Sequence, residues 1–115
     1  MAEVGRGEIW MFAFPKPDKK RPVLVLTRAD MIGRLRTVTV APITSTIRGV
    51  PSEVVVGTES GLKTPSAINL HHVATVPQAG LRTFVGSVSQ QTMNQVREAV
   101  LFALGFAEPT ALRSS

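Results

Sequence analysis

Apolar and polar positions along this chain follow two different periods, and the change between them falls at Ser89. Before it, short runs either alternate or are apolar on both sides, as β-strands do. Residues 8–14, EIWMFAF, place Trp10, Phe12 and Phe14 on one face and Ile9, Met11 and Ala13 on the other. A central strand is expected there, closed by Pro15 and Pro17, with its three aromatic rings serving as core. Residues 22–28, PVLVLTR, predict a second buried strand. In residues 36–43, RTVTVAPI, Thr37 and Thr39 oppose Val38 and Val40, which predicts a half-exposed strand with Pro42 marking an edge or a bend.

Gly49 and Pro51 punctuate a turn before the short strand SEVVVG, and TESGLKTP reads as a loop. SAINL and HVATV, parted only by His71, read as one bent strand or two, and TFVGSV ends the β region at Val88. Six or seven short strands at this spacing predict a small barrel or sandwich. After Ser89, Met93, Val96, Val100, Ala103 and Leu104 recur at steps of three and four. This predicts an amphipathic helix of about four turns, with Ser89 as N-cap and Gly105 just past its end. The stripe needs a partner, either a face of the barrel or a dimer seam. Residues 107–115 carry no pattern and are expected to fray. The chain therefore reads as one mainly β domain over 1–115, with a folded core at about 5–106 and a C-terminal helix.

Composition narrows the chemistry. A length of 115 residues with 43% hydrophobic content supports a true core, and the absence of cysteine excludes disulfides and thiolate metal sites. The N-terminal MAEVGRGEIW offers no apolar signal, and no run of about eighteen apolar residues occurs anywhere. A soluble cytoplasmic protein with no membrane partner is expected. The formal net charge is +5, and Lys16, Lys19, Lys20, Arg21, Arg28, Arg34 and Arg36 against Asp18 and Asp30 account for all of it within residues 16–36. Such a cluster favours a polyanion, although it also suits a solvated loop and strand edge.

His71 and His72 are adjacent, and neighbours on a strand face opposite ways, so no metal site is expected, nor any other cofactor. No G-x-S-x-G elbow or glycine-rich nucleotide motif is present. What remains is the basic turn PKPDKKRP, ending in Arg21, and the hydroxyl cluster Thr44, Ser45 and Thr46. If the strands that follow the one and precede the other lie side by side, both open onto one surface. A guanidinium meets two phosphate oxygens at once and stays charged, while a threonine hydroxyl donates without changing charge. The pair is equipment for holding a phosphate, and neither residue type is specific by itself.

RGEIWMFAFP, KRPVLVLTR, APITSTIRG and the stretch from PSAINL to TVP, in this order over residues 6–105, together resemble the MazF/PemK (Kid) family of toxins from bacterial toxin–antitoxin pairs. The resemblance implies a small SH3-like barrel with a C-terminal helix, a homodimer, and metal-independent cleavage of single-stranded RNA at a short sequence. In most members the ribose 2′-oxygen attacks the adjacent phosphate, leaving a 2′,3′-cyclic phosphate and a 5′-hydroxyl. It also implies a cognate MazE-like antitoxin that lays an extended acidic or apolar segment over the RNA groove.

Carried over by motif, the family's arginine of the R-P pair is Arg21 and its hydroxyl at the end of the third strand is Thr44, proposed to stabilise charge and to position the phosphate. Lys16, Lys19, Lys20, Arg28, Ser45, Thr46, Arg48 and Asn69 are candidate RNA contacts. The loop PKPDKK is short and lacks the histidine or glutamine of longer-looped members. Where PemK-like members have an Arg and an Asp two residues apart, this chain has Asn69 and His71. An imidazole is the side chain that titrates nearest neutrality, which makes His71 the first candidate proton acceptor. Two other functions compete: a CcdB-like toxin that binds gyrase through its C-terminal helix, and a silent RNA-binding barrel. The ending ALRSS, with the single Trp at position 10, disfavours the former.

Overall fold

A computed structural model describes residues 3–17 and 19–107. Seven strands form it: β1 Glu8–Ala13, β2 Lys20–Val25, β3 Thr37–Thr44, β4 Glu53–Val56, β5 Ser66–Asn69, β6 Ala74–Pro77 and β7 Thr83–Ser87. A one-turn helix α1, Ala29–Ile32, joins β2 to β3, and helix α2, Gln90–Ala103, closes the fold. All pairings are antiparallel, in the order β4-β5-β3-β2-β1-β7, with β6 also on β3. The result is a mainly β half-barrel with a C-terminal helix. Among the described residues no helix is long and apolar enough to cross a membrane.

β3 is the strand that bends the sheet. Its first half, Thr37–Val40, pairs with β6, and its last two residues, Ile43 and Thr44, pair with β5. The half-exposed alternation expected from the threonines holds over Thr37–Val40, with Thr37 exposed and Val38 and Val40 buried, although the strand is interior to the sheet and Ala41 and Ile43 are buried as well. Pro42 is at no edge but at the changeover between β6 and β5. The Thr39 carbonyl accepts from the Leu26 N–H and its own N–H donates to the Thr27 hydroxyl oxygen, so odd residues of β3 point their backbone at the β2 side. By alternation, the N–H that Pro42 lacks would have faced the other flank, where neither neighbour is in place.

The apolar faces fill two layers. Ile9, Leu24, Ala41, Ile43, Ile68 and Leu70 pack with Met93, Val96 and Ala99 of α2. On the opposite side Trp10, Val23, Val25, Val38 and Val40 form a second cluster, closed by Val4, Ile32, Val76 and Leu81. The expectation that both faces of β1 and β2 are buried holds at their centres. α2 begins at Ser89, whose hydroxyl oxygen accepts from the Thr92 N–H at 3.1 Å. Its packing stripe takes in Ala99, while Leu104 is exposed, because the helix has ended before it. The expected frayed tail falls, from residue 108 onward, outside the described residues.

Other differences have local causes. β2 starts at Lys20 and ends at Val25, against an expectation of 22–28, because β1 offers it partners back to Ala13, opposite Lys20. SAINL and HVATV are two strands, parted by a 3₁₀ turn at Leu70–His72 that Asn69 caps by accepting the His71 N–H. The polar interval after β2 hides α1, whose Ile32 is the one buried residue of the turn.

A loop, residues 58–61, lies directly against β7. Gly61 adopts φ +98°, and a Cβ on Gly86 would overlap the Ser60 carbonyl. Gly33 has φ −71° and nothing within 4 Å of its Cβ position. Gly86→Ala is expected to cost about 2 kcal/mol or more in urea unfolding, and Gly33→Ala to be neutral or stabilising by under about 1 kcal/mol. A Gly86→Ala protein as stable as the parent would contradict this backbone packing.

Candidate functional site

The site begins where the β2–β3 ladder ends. The paired register stops at Val23 with Pro42. Leu26 donates its N–H to β3 and the Val25 carbonyl accepts from Gly7 on the β1 side, so even residues of β2 bond toward β3. The next hydrogen-bonding pair would be Pro22 with Ile43, and proline has no N–H to give. Continuing the register two residues past the last pair sets Arg21 across from Thr44, on the side of the sheet that carries Val23, Val25 and Val40. Arg21 is therefore a strand residue opposite Phe12 of β1, not the end of a turn. Its position follows from strand alternation, which fixes a direction more firmly than a loop does.

Both residues are half-buried and line two neighbouring cavities. The first, of about 460 Å³, adds Phe14, Thr46, Arg48, Glu53, Asn69 and His72. The second, of about 930 Å³, adds Lys19, Lys20, Lys63, Ser45, Thr64 and Phe84, and no acidic side chain lines it. Arg21 and Thr44, with Thr46, are thus the shared wall between a small polar cleft and a longer basic groove. The Thr44 Oγ1 accepts from the Thr46 N–H at 3.1 Å, which shapes the turn after β3 and leaves the hydroxyl proton available for donation.

Two further contacts set the cleft walls. Glu53 Oε1 accepts from the backbone N–H groups of Arg48 and Gly49 at 3.0 and 2.9 Å, fixing the loop between β3 and β4. Glu53 stands opposite Asn69 in the β4–β5 register. Asn69 Oδ1 accepts from the His71 N–H at 3.0 Å, and its Nδ2 lies 3.0 Å from His72 Nδ1. Among the described residues no three His, Cys, Asp or Glu side chains group to hold a metal ion.

Of the sequence candidates, Arg21, Thr44, Lys19, Lys20, Ser45, Thr46, Arg48 and Asn69 come together here. Lys16 lines neither cavity. Arg28 stands beyond the other end of β2, exposed and ion-paired to Asp30 at 2.8 Å. His71 is also outside: its Nε2 contacts the hydroxyl of buried Ser52, and His72 takes the place in the cleft. Both histidines sit on a 3₁₀ turn and not on a strand, so the alternation used to separate them does not apply. Glu53, His72, Lys63, Phe14 and Phe84 were not singled out as site residues from the sequence. Only Lys63 carried a signal, as a lone cation in a glycine-bounded loop.

Replacing Glu53 by Gln weakens the acceptor for two loop amides. Hydrogen exchange at Arg48 and Gly49 is expected to quicken by about tenfold, with distant β1 amides unchanged. Unaltered exchange at both amides would show that Glu53 does not hold the loop.

Comparison with known proteins agrees with the architecture and the motif order. Residues 5–104 match the family described as PemK-like, MazF-like toxin of type II toxin–antitoxin system. Endoribonuclease MazF3 of Mycobacterium tuberculosis is 40% identical over 83 residues, 72% of this chain and 81% of the relative. Probable endoribonuclease MazF5 of the same organism is 39% identical over 100 residues, covering 86% and 91%. The solved structure of Mycobacterium tuberculosis toxin MazF-mt6 superposes with a TM-score of 0.81 at 35% identity, over 88% of this chain and 99% of that one. The half-barrel, the Arg21–Thr44 wall and these matches together place the chain in the PemK/MazF family of type II toxin–antitoxin toxins.

Proposed function

We propose that this protein is a MazF-type endoribonuclease that cuts single-stranded RNA at a short sequence without a metal ion. The observation that carries the reading is the placement of Arg21 opposite Thr44 on the wall between the polar cleft and the lysine-lined groove. The names of the relatives, endoribonucleases at about the same identity across most of the chain, support the same substrate class.

In this mechanism the RNA backbone runs along the groove, drawn by Lys19, Lys20 and Lys63 through a salt-sensitive, sequence-blind attraction. Phe14 and Phe84 border the path, with Phe84 exposed at 53%, and offer ring faces to unpaired bases. The ribose 2′-oxygen forms a bond to phosphorus as the bond to the 5′-oxygen breaks. The 2′-hydroxyl gives up its proton, the leaving 5′-oxygen gains one, and the products are a 2′,3′-cyclic phosphate and a 5′-hydroxyl. Arg21 stabilises charge on the phosphorane oxygens, and Thr44 donates to one of them.

The same groove suits an extended acidic or apolar antitoxin segment, as expected for a toxin of a type II pair. A homodimer would set two such sites in one particle, and the cytoplasm is where RNA and antitoxin would both be met.

Arg21→Ala is expected to lower cleavage of single-stranded RNA in EDTA by about two decades, equivalent to roughly 3 kcal/mol in the barrier, without loss of fold by circular dichroism. Ends mapped after the wild-type cut should carry cyclic phosphate. A folded wild-type protein that leaves a random-sequence RNA pool intact would overturn the proposal.

A further inference from the structure

We propose that His72 serves the cut as a neutral hydrogen-bond donor, locked in its Nε2–H form by Asn69, and not as the proton acceptor. The inference rests on the reading of the cleft as an RNA site. It also bears on the question left by Arg21 and Thr44, neither of which is suited to take a proton near neutral pH.

The His71 backbone N–H can only donate, and it lies 3.0 Å from the Asn69 side chain, so the atom it meets must be the carbonyl oxygen Oδ1. That orients the amide: turning it over would set N–H against N–H. The Nδ2 group then faces His72 Nδ1 at 3.0 Å, and it too can only donate. His72 Nδ1 must therefore present a lone pair, which places the ring proton of the neutral imidazole on Nε2. Abstracting a proton through Nε2 needs the opposite tautomer, with Nδ1–H given to an acceptor. An imidazolium would carry a proton on Nδ1, directly against the Asn69 amide.

The scaffold holds this arrangement from both sides. Asn69 is fixed in β5 opposite Glu53 and caps the turn that carries both histidines. His71 is held by the Ser52 hydroxyl, and Ser52 is fully buried. The charged groups that share the cleft with His72 are Arg21, Arg48 and Glu53, and the His71 ring lies 6.3 Å away. The Glu53 oxygen that is placed in contact goes to the backbone of Arg48 and Gly49, so Nδ1 of His72 has Asn69 as its partner among these groups. The Nε2–H is then suited to an acceptor oxygen of the RNA, on a phosphoryl group or a base carbonyl.

The test uses the full chain labelled with ¹⁵N-histidine, assigned with His71→Asn and His72→Asn variants. At pH 7.5 His72 should show a protonated-type Nε2 shift and an unprotonated-type Nδ1 shift. Asn69→Asp, which supplies an acceptor at the same place, should exchange the two. This readout needs no cleavage, so it separates failure of the ring assignment from failure of the RNA reading.

On the best-cut oligonucleotide from a random-sequence pool, His72→Ala should raise KM about three- to tenfold with kcat within about threefold, the effect of one lost hydrogen bond. His72→Gln should recover most of it and keep the shape of the pH–rate profile. A loss spread evenly over RNA sequences would mark a phosphoryl acceptor, and one confined to RNAs with a particular base would mark a base edge. An Nδ1–H tautomer in the wild type, or a kcat fall of a hundredfold with loss of a pH limb in His72→Gln, would overturn the proposal.

Discussion

The structure depends on where one hydrogen-bond ladder is forced to stop. β2 and β3 share the centre of the sheet, and both carry a proline at the same end. Pro22 cannot donate to Ile43, and Pro42 falls where β3 has left β6 and not yet met β5. Pro22 forgoes the next rung of the ladder while Pro42 costs none, and together they end the pairing at one point. Beyond it, Arg21 and Thr44 stand on strand backbone, held in direction by the sheet behind them, with cavities on both sides. For the proposed mechanism, a rigid strand end is a better mount for a charge that meets a phosphorane than a loop would be, because little ordering remains to be done when substrate arrives.

The surrounding parts serve that mount in distinct ways. The two apolar layers hold β2 and β3 from both faces, so the barrel wall beneath the site is packed with apolar side chains. The loops that form the cleft rim are fixed by polar contacts: Thr44 on the Thr46 amide, Glu53 on Arg48 and Gly49, Asn69 on His71. These contacts are exposed or half-exposed and individually modest, so the rim is the part best able to adjust to an RNA or to an antitoxin segment.

The sequence made the strands, the helix and its Ser89 cap legible because they rest on local period and local chemistry. Arg21 and Thr44 were legible through motif order, and their meeting could be guessed from two adjacent strands. What was not legible came from long-range pairing. Lys20 and Arg21 look like a turn until β1 is seen to pair with them, and Pro42 looks like an edge until β3 is seen to change partners. His71 and His72 were read as strand residues for a related reason: they fall between two strand-like runs, SAINL and VATV, and only the Asn69 cap reveals the 3₁₀ turn that sends His72 into the cleft and His71 to Ser52. Lys63 and Glu53 join the site from far along the chain, where no window of sequence sets them beside residue 21.

The central claim is that Arg21 and Thr44 act on one phosphate as a unit. A double-mutant cycle on RNA cleavage, using Arg21→Ala, Thr44→Val and the double variant, tests it most directly. Residues that bind the same transition-state oxygens should be non-additive, the double variant losing less than the sum of the singles by about 1 kcal/mol or more. Strict additivity of two large effects, or cleavage unchanged by either substitution, would contradict the account.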